Sequence, residues 1–209
     1  MSYFRKNIEA MDGYVPGEQP KDGKYIKLNT NENPYPPSSR VLETMQKALN
    51  YSLRLYPDPL ASAARGKIGN LFGINPQRVI IGNGSDDILT MIVRSFVGYK
   101  DKAVVPYPTY ALYETLVELQ EGELCTVDFQ NDFSLSDNII IKDARVTFLS
   151  NPNSPSGTMI PPERVSEIAG RIDGILVIDE AYVDFAETNC LGLVDNHPNV
   201  IILRTLSKS

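Results

Sequence analysis

Short apolar runs separated by helical stretches constrain this chain more than any other feature. The runs fall at residues 79–81, 103–105, 124–127, 145–149, 174–178 and 200–203. Between them, apolar residues recur at helical spacing over 88–97, 110–119 and 162–171. Strands of about five residues alternating with helices of about 10–12 specify an α/β fold. Runs this apolar are buried on both faces, so the sheet is expected to be mostly parallel and covered by helices in three α/β/α layers. Crossovers in such sheets are right-handed, which gathers the turns following the strands at one edge. Ligands of open α/β sheets bind outside those carboxyl ends.

Residues 1–37 read as an irregular N-terminal arm. Gly13, Pro16, Gly17, Pro20 and Gly23 precede the polar, proline-rich 29–37, and such a segment has little to bury. Residues 38–209 read as the domain. Ser38 and Ser39 stand where a helix N-cap belongs, and Val41, Leu42, Met45, Ala48 and Leu49 follow at helical spacing. Residues 55–59 break that helix, and a second is expected over 60–72, closed by Gly73.

Composition narrows the function. With 42% hydrophobic and 22% charged residues, the 209-residue chain can bury one sizeable core. A net charge of −6 without a basic cluster argues against nucleic acid. No run approaches the ~18 apolar residues of a membrane span, and the start has no secretory h-region. Cys125 and Cys190 have no metal-ligand or redox spacing, so a reducing, cytoplasmic setting is expected. The single histidine, His197, cannot build a poly-histidine metal site, and no G-x-S-x-G elbow accompanies it. It reads as a loop residue, and no metal site is expected.

The turns carry the candidate chemistry. Gly82-Asn-Gly-Ser-Asp-Asp87 leads into a helix. Glycines there admit a ligand to the backbone, the helix start offers N–H groups to an anion, and Ser85 adds a hydroxyl. The stretch reads either as a phosphate seat or as a plain capped helix start. It is not a dinucleotide fingerprint, because Asp87 stands where the third glycine would be. Tyr107-Pro-Thr-Tyr110 ends the next strand, and its aromatic either stacks on a flat ring or packs at a helix start. Asp179 follows five apolar residues, so it is either an N-cap or a carboxylate that needs a cationic partner. Lys208 follows the last strand and is either a solvated charge or a reactive amine.

Lys208 and Asp179 are informative together. An amine that forms a Schiff base must be partly desolvated and have a lowered pKa. A pyridine-type cofactor needs a carboxylate at its ring nitrogen to act as an electron sink. A phosphate seat, an aromatic, a carboxylate and a lysine on one sheet edge together point to pyridoxal phosphate.

Seven segments sharpen this reading: Asn-Glu-Asn-Pro (31–34), Tyr-Pro-Asp (56–58), Gly-Asn-Gly-Ser-Asp (82–86), Pro-Thr-Tyr (108–110), Asn-Pro-Asn-Ser-Pro-Ser-Gly (151–157), Asp-Glu-Ala-Tyr (179–182) and Arg-Thr-Leu-Ser-Lys (204–208). In this order they resemble the fold-type I, class-II aminotransferases, and among these the histidinol-phosphate aminotransferase branch. The resemblance runs from about Tyr25 to Ser209. It implies a pyridoxal-phosphate enzyme that transaminates L-histidinol phosphate with 2-oxoglutarate. Aromatic aminotransferases, phosphothreonine decarboxylases and a non-catalytic binding module of the same fold are the alternatives.

The resemblance also implies roles. Lys208 would carry the cofactor and move the substrate Cα proton. Asp179 would face the ring nitrogen, Tyr182 the ring O3′, and Tyr110 a ring face. Gly84, Ser85, Asp86 and Ser207 would surround the phosphate. Tyr56 would reach the cofactor of a neighbouring subunit, implying a homodimer. Asn33 and Tyr35 would lie near the substrate. Many members place Asn before the Pro-Thr-Gly turn, where this chain has Ser154, so either Ser154 or Asn153 serves O3′. The family also continues past the lysine with a phosphate-binding arginine and a small domain bearing the substrate-carboxylate arginine. Residues 38–209 are therefore expected to be part of the large domain. Alone they should expose apolar surface, be poorly stable and not turn over.

Overall fold

The computed structural model describes residues 2–11, 23 and 25–208. The glycines and prolines noted over 13–20 lie outside the described residues. Seven α-helices are described: α1 (Lys6–Ala10), α2 (Ser39–Ala48), α3 (Ser62–Phe72), α4 (Gly84–Phe96), α5 (Leu112–Leu119), α6 (Pro162–Ala169) and α7 (Leu193–Asn196). Five strands alternate with the later helices: β1 (Lys102–Tyr107), β2 (Glu123–Asp128), β3 (Ala144–Ser150), β4 (Ile175–Asp179) and β5 (Val200–Leu203). They form one sheet in the order β2-β1-β3-β4-β5, with every neighbouring pair parallel. The expected α/β architecture is present.

The pleat sorts side chains to two cores. Ala103, Val105, Val146, Phe148, Val177 and Leu203 point to one face and pack with Leu89, Ile92 and Val93 of α4 and Tyr113, Leu116 and Val117 of α5. Val104, Leu149, Leu176, Ile178 and Val200 point to the other and pack with Val165, Ile168 and Ala169 of α6. Each large aliphatic or aromatic side chain buried this way contributes about 1.5–3 kcal/mol. The polar excursion after β2 also feeds the second core. Leu135 is buried there, and Ile139 lies in a 3-10 turn at 0% exposure.

Three local expectations are corrected. Residues 79–81 are extended but form no strand, because a strand exists by pairing and this run has no ladder partner among the described residues. Ile80 is 77% exposed. The arm is not wholly irregular, since α1 forms and docks on α5. Arg5 donates to the Leu119 carbonyl at 2.9 Å and Asn7 to that of Glu118 at 3.3 Å. Ser38 does sit at the N-cap of α2, but its hydroxyl makes no capping bond.

The face of α2 predicted to be apolar is open. Val41, Leu42, Met45 and Leu49 are all exposed, as are Leu53, Leu55 and Leu60 in the segment joining α2 to α3. The open apolar surface thus lies on α2 and the segment after it, whereas the two faces of the sheet are packed. β5 is an edge strand, and α7 and Arg78 flank it, the latter through Asp195 at 2.8 Å.

Candidate active site

Because all five strands run parallel, the segments after β1, β3, β4 and β5 emerge on one edge. Backbone bonds hold these exits in register. Asn151 donates to the Asp179 carbonyl at 2.8 Å and Glu180 to the Leu203 carbonyl at 2.9 Å. The amino end of α4 faces the same group of residues, since the Tyr110 hydroxyl donates to Asp86 at 3.3 Å.

Asp179 is the buried acid of the site, at 3% exposure. Tyr113 donates its hydroxyl to one carboxylate oxygen at 2.8 Å, and the Ala181 N–H donates to the other at 3.1 Å. The second bond is the cap-like contact that the sequence allowed. The expected cationic partner is absent among the described residues, because α5 delivers a phenol instead. Burial pushes the Asp179 carboxyl above its ordinary range, the two hydrogen bonds pull it down, and the charges of Asp86 and Glu180 push it up.

That shift has a sign. A carboxyl whose folded pKa is raised binds more protons folded than unfolded. Its favourable contribution is full below the unfolded pKa of about 3.9 and is lost as pH rises through the folded value. Asp179→Asn should therefore stabilise the ligand-free protein relative to its parent at neutral pH. Melting temperatures of the pair should converge as pH falls toward 4. A difference independent of pH would show that the carboxyl is not perturbed.

Lys208 is half-buried. Its ammonium donates to the Thr30 carbonyl at 3.0 Å and lies 6.0 Å from the Tyr182 ring centroid. Among the described residues it forms no ion pair with a carboxylate. The Tyr182 hydroxyl accepts from the Asn31 amide at 3.0 Å. The arm therefore crosses the site through Thr30 and Asn31. Asn31 holds a left-handed φ of 52°, which asparagine tolerates better than most residues. Asn33 and Tyr35, named from the sequence, are exposed, and the Asn33 side chain accepts from the Tyr35 N–H at 2.9 Å.

At the α4 amino end, Gly84 has φ +80°, a conformation that side chains resist. Gly82 is close-packed, since a Cβ there would lie 2.7 Å from the end of the Ile88 side chain, which would have to shift. Ser85 and Asp86 follow in the first helical turn, and the Asn83 N–H is taken by Asp87 at 2.9 Å. Ser207 is exposed and shares a 2.8 Å hydroxyl contact with Thr205.

Tyr110 stands edge-on to Tyr113, with centroids 5.6 Å apart at 88°. Asn153 is buried and occupied. Its amide donates to the Pro108 carbonyl at 3.1 Å and to Ser156 at 2.8 Å, and it accepts from Thr109 at 3.2 Å. It ties the β1 and β3 exits together. The neighbouring Ser154 is held by its N–H to Ser150 at 3.3 Å. Tyr56 is fully exposed and touches none of these groups.

Sequence reading missed a second buried acid. Glu180 is 1% exposed, and its two oxygens serve two elements. One accepts from the Cys190 N–H at 2.5 Å, and the other from Arg204 Nε at 2.9 Å with Nη2 at 2.7 Å. The Arg204 guanidinium lies 4.7 Å over the Phe72 ring, which ties α3 to the strand exits. Burial and the Glu180 charge push the Cys190 thiol up to about 11, away from the thiolate form. His197 is not a bare loop residue either, since Nε2 lies 2.7 Å from the Ser166 hydroxyl and links α7 to α6. Elsewhere, a groove of about 570 Å³ opens beside Arg94, Asp101, Arg145 and Asp173. It lies at the amino edge of the sheet, away from Lys208 and Asp179.

The comparisons agree with this geometry. The family model for aminotransferase class I and II matches residues 23–209. Histidinol-phosphate aminotransferase 1 of Nostoc sp. strain PCC 7120 is 46% identical over 99% of the chain and 59% of its own length. The histidinol-phosphate aminotransferase of Rhodopirellula baltica is also 46% identical, over 99% of the chain and 58% of its own length. A crystal structure of histidinol-phosphate aminotransferase from Sinorhizobium meliloti in complex with pyridoxal-5'-phosphate superposes with a TM-score of 0.86. That match is 28% identical and covers all of this chain and 60% of the other. The chain thus spans about 60% of the length of the relatives it matches. With a parallel sheet that has Asp179 and the segment bearing Lys208 at one edge, and a family match over residues 23–209, the chain belongs to the class I and II aminotransferases.

Proposed function

We propose that the intact protein is a pyridoxal-phosphate-dependent aminotransferase acting on L-histidinol phosphate and 2-oxoglutarate in histidine biosynthesis. The observation that carries this reading is the buried Asp179 carboxylate, which has hydrogen bonds but no cation, on the sheet edge that also bears Lys208. A protonated ring nitrogen is the cation such a carboxylate lacks. The amino end of α4, opened by Gly84, supplies N–H groups and the Ser85 hydroxyl for a phosphate. These residues fit pyridoxal phosphate. The substrate assignment is supported by the names of the relatives at 46% identity.

When bound, pyridoxal phosphate supplies an aldehyde for amines and an electron-poor ring that stabilises negative charge at the substrate Cα. The chain's residues do the rest. Lys208 holds the cofactor and then takes and returns the Cα proton. Asp179 holds a proton at the ring nitrogen. The Tyr182 hydroxyl orients the ring through O3′, and Ser154 assists there because the Asn153 amide already ties two turns together. Tyr110 covers one ring face. Gly84, Ser85 and Asp86 hold the phosphate by N–H and hydroxyl donors, with Ser207 beside them. Asn33 and Tyr35 serve the substrate side. Tyr56, exposed here, reaches the site of a second copy in a homodimer. The setting is cytoplasmic. In keeping with it, both cysteines are unpaired and no described helix is long and apolar enough to cross a membrane.

The test is an absorbance titration of the intact protein with pyridoxal phosphate, followed by substrate addition. A visible cofactor band and glutamate formed from 2-oxoglutarate only with histidinol phosphate support the reading. Turnover of aromatic amino acids alone, or carbon dioxide released from phosphothreonine, would replace the substrate. Absence of any band would leave a binding module of the same fold.

A further inference from the structure

The contact between Tyr113 and Asp179 is more than core packing. Tyr113 is fully buried, and its ring stacks on Phe148 at 4.9 Å and 12°. Packing alone would be served by phenylalanine. The hydroxyl instead reaches a carboxylate that is itself buried, at 2.8 Å. Together with the Ala181 N–H it places one donor on each Asp179 oxygen, which fixes the plane of the carboxylate. Each oxygen keeps a second lone pair for a further donor.

The surroundings oppose a charge at this point. Asp86 at the start of α4 and Glu180 beyond β4 are both negative and raise the Asp179 carboxyl, as does burial. Tyr110, just before α5, and Ser150 on β3 act on the Tyr113 hydroxyl. Lys208, on the exit of β5, points its amine to Thr30 rather than to Asp179. Of the groups favouring the carboxylate, the Tyr113 hydroxyl acts most strongly and the Ala181 N–H follows.

We propose that Tyr113 is a positioning residue for Asp179, orienting its carboxylate and keeping it ionised toward the ring nitrogen of the cofactor. This rests on the reading of the site as a pyridoxal-phosphate site. Without the hydroxyl, the proton shared between ring nitrogen and carboxylate moves toward the carboxylate. With the cofactor bound, the nitrogen that joins it to Lys208 would then titrate at higher pH.

The experiment is a pH titration of the visible cofactor band in the intact holoenzyme, in the parent and two variants. Tyr113→Phe should move the midpoint upward and lower kcat about tenfold at little change in KM, as expected for loss of one hydrogen bond to a charged group. Replacing Tyr113 with 3-fluorotyrosine makes a stronger donor of nearly the same shape. It should move the midpoint the other way, and it decides the matter if Tyr113→Phe does not fold. Midpoints unmoved in the variants that fold would reduce Tyr113 to a packing residue and overturn the proposal. A parent protein without a Lys208-dependent band would instead overturn the cofactor reading, and this proposal with it.

Discussion

Lys208→Ala is expected to abolish turnover while leaving the ligand-free fold close to its parent. The amine is given two tasks, holding the cofactor and carrying the Cα proton, and no other described lysine stands at the strand exits. Proton transfer by a placed side chain alone accounts for about 10²–10⁴-fold. Losing the covalent attachment as well puts the expected drop in kcat at about 10⁴-fold or more. Stability should change little, because the ammonium makes a single hydrogen bond, to the Thr30 carbonyl, from a half-buried position. A change under about 1 kcal/mol is expected from such a site. Lys208→Arg separates charge from nucleophilicity. It keeps the cation and its contact with the arm, yet it should be as inactive as the alanine variant. Stopped-flow absorbance and single-turnover assays read both effects. A variant retaining more than about one hundredth of parental kcat would move the proton-transfer role elsewhere.

The parts legible from sequence and the parts that were not differ for physical reasons. Strand runs such as 146–149 and 174–178 were legible because burial on both faces leaves them almost wholly apolar, with Thr147 the one polar side chain. The run at 79–81 has the same composition but no ladder, since pairing depends on a neighbour that composition does not encode. The placement of Asp179 and Lys208 on one edge followed from parallel topology alone. Their partners did not follow. Tyr113 lies three residues past Tyr110, in the first turn of α5, and only the packing of α5 on the sheet shows that its hydroxyl reaches Asp179. Asn153 read as a ligand candidate, and its three side-chain hydrogen bonds, which link the β1 and β3 exits, were not legible. The described arm contacts come from Thr30 and Asn31, three and two residues before Asn33.

The same limit applies to Glu180, whose adjacency to Asp179 hid a separate task. Arg204→Met is expected to destabilise the intact protein by about 3–5 kcal/mol at neutral pH, a large part of the ~5–15 kcal/mol that holds a domain folded. The reason is the charge left behind. Glu180 has no exposed side-chain surface, so removing the guanidinium leaves a carboxylate with only the Cys190 N–H to answer it. The cation–π contact with Phe72 is lost as well, which loosens α3 from the strand exits. Replacing both partners, Glu180→Gln with Arg204→Met, removes the uncompensated charge and keeps an acceptor for Cys190. That double variant should lose less than Arg204→Met alone, by at least about 1–2 kcal/mol, giving a favourable coupling in a double-mutant cycle. Denaturant midpoints at constant m-value measure it. If Arg204→Met were to cost less than about 1 kcal/mol, another group would be neutralising Glu180. The pair joins the residue after Asp179 to the residue after β5, so Arg204→Met should also loosen the spacing of Asp179 and Lys208. Weaker retention of cofactor at a permissive temperature is the expected sign that this buried ion pair sets the geometry of the site as well as the stability of the sheet.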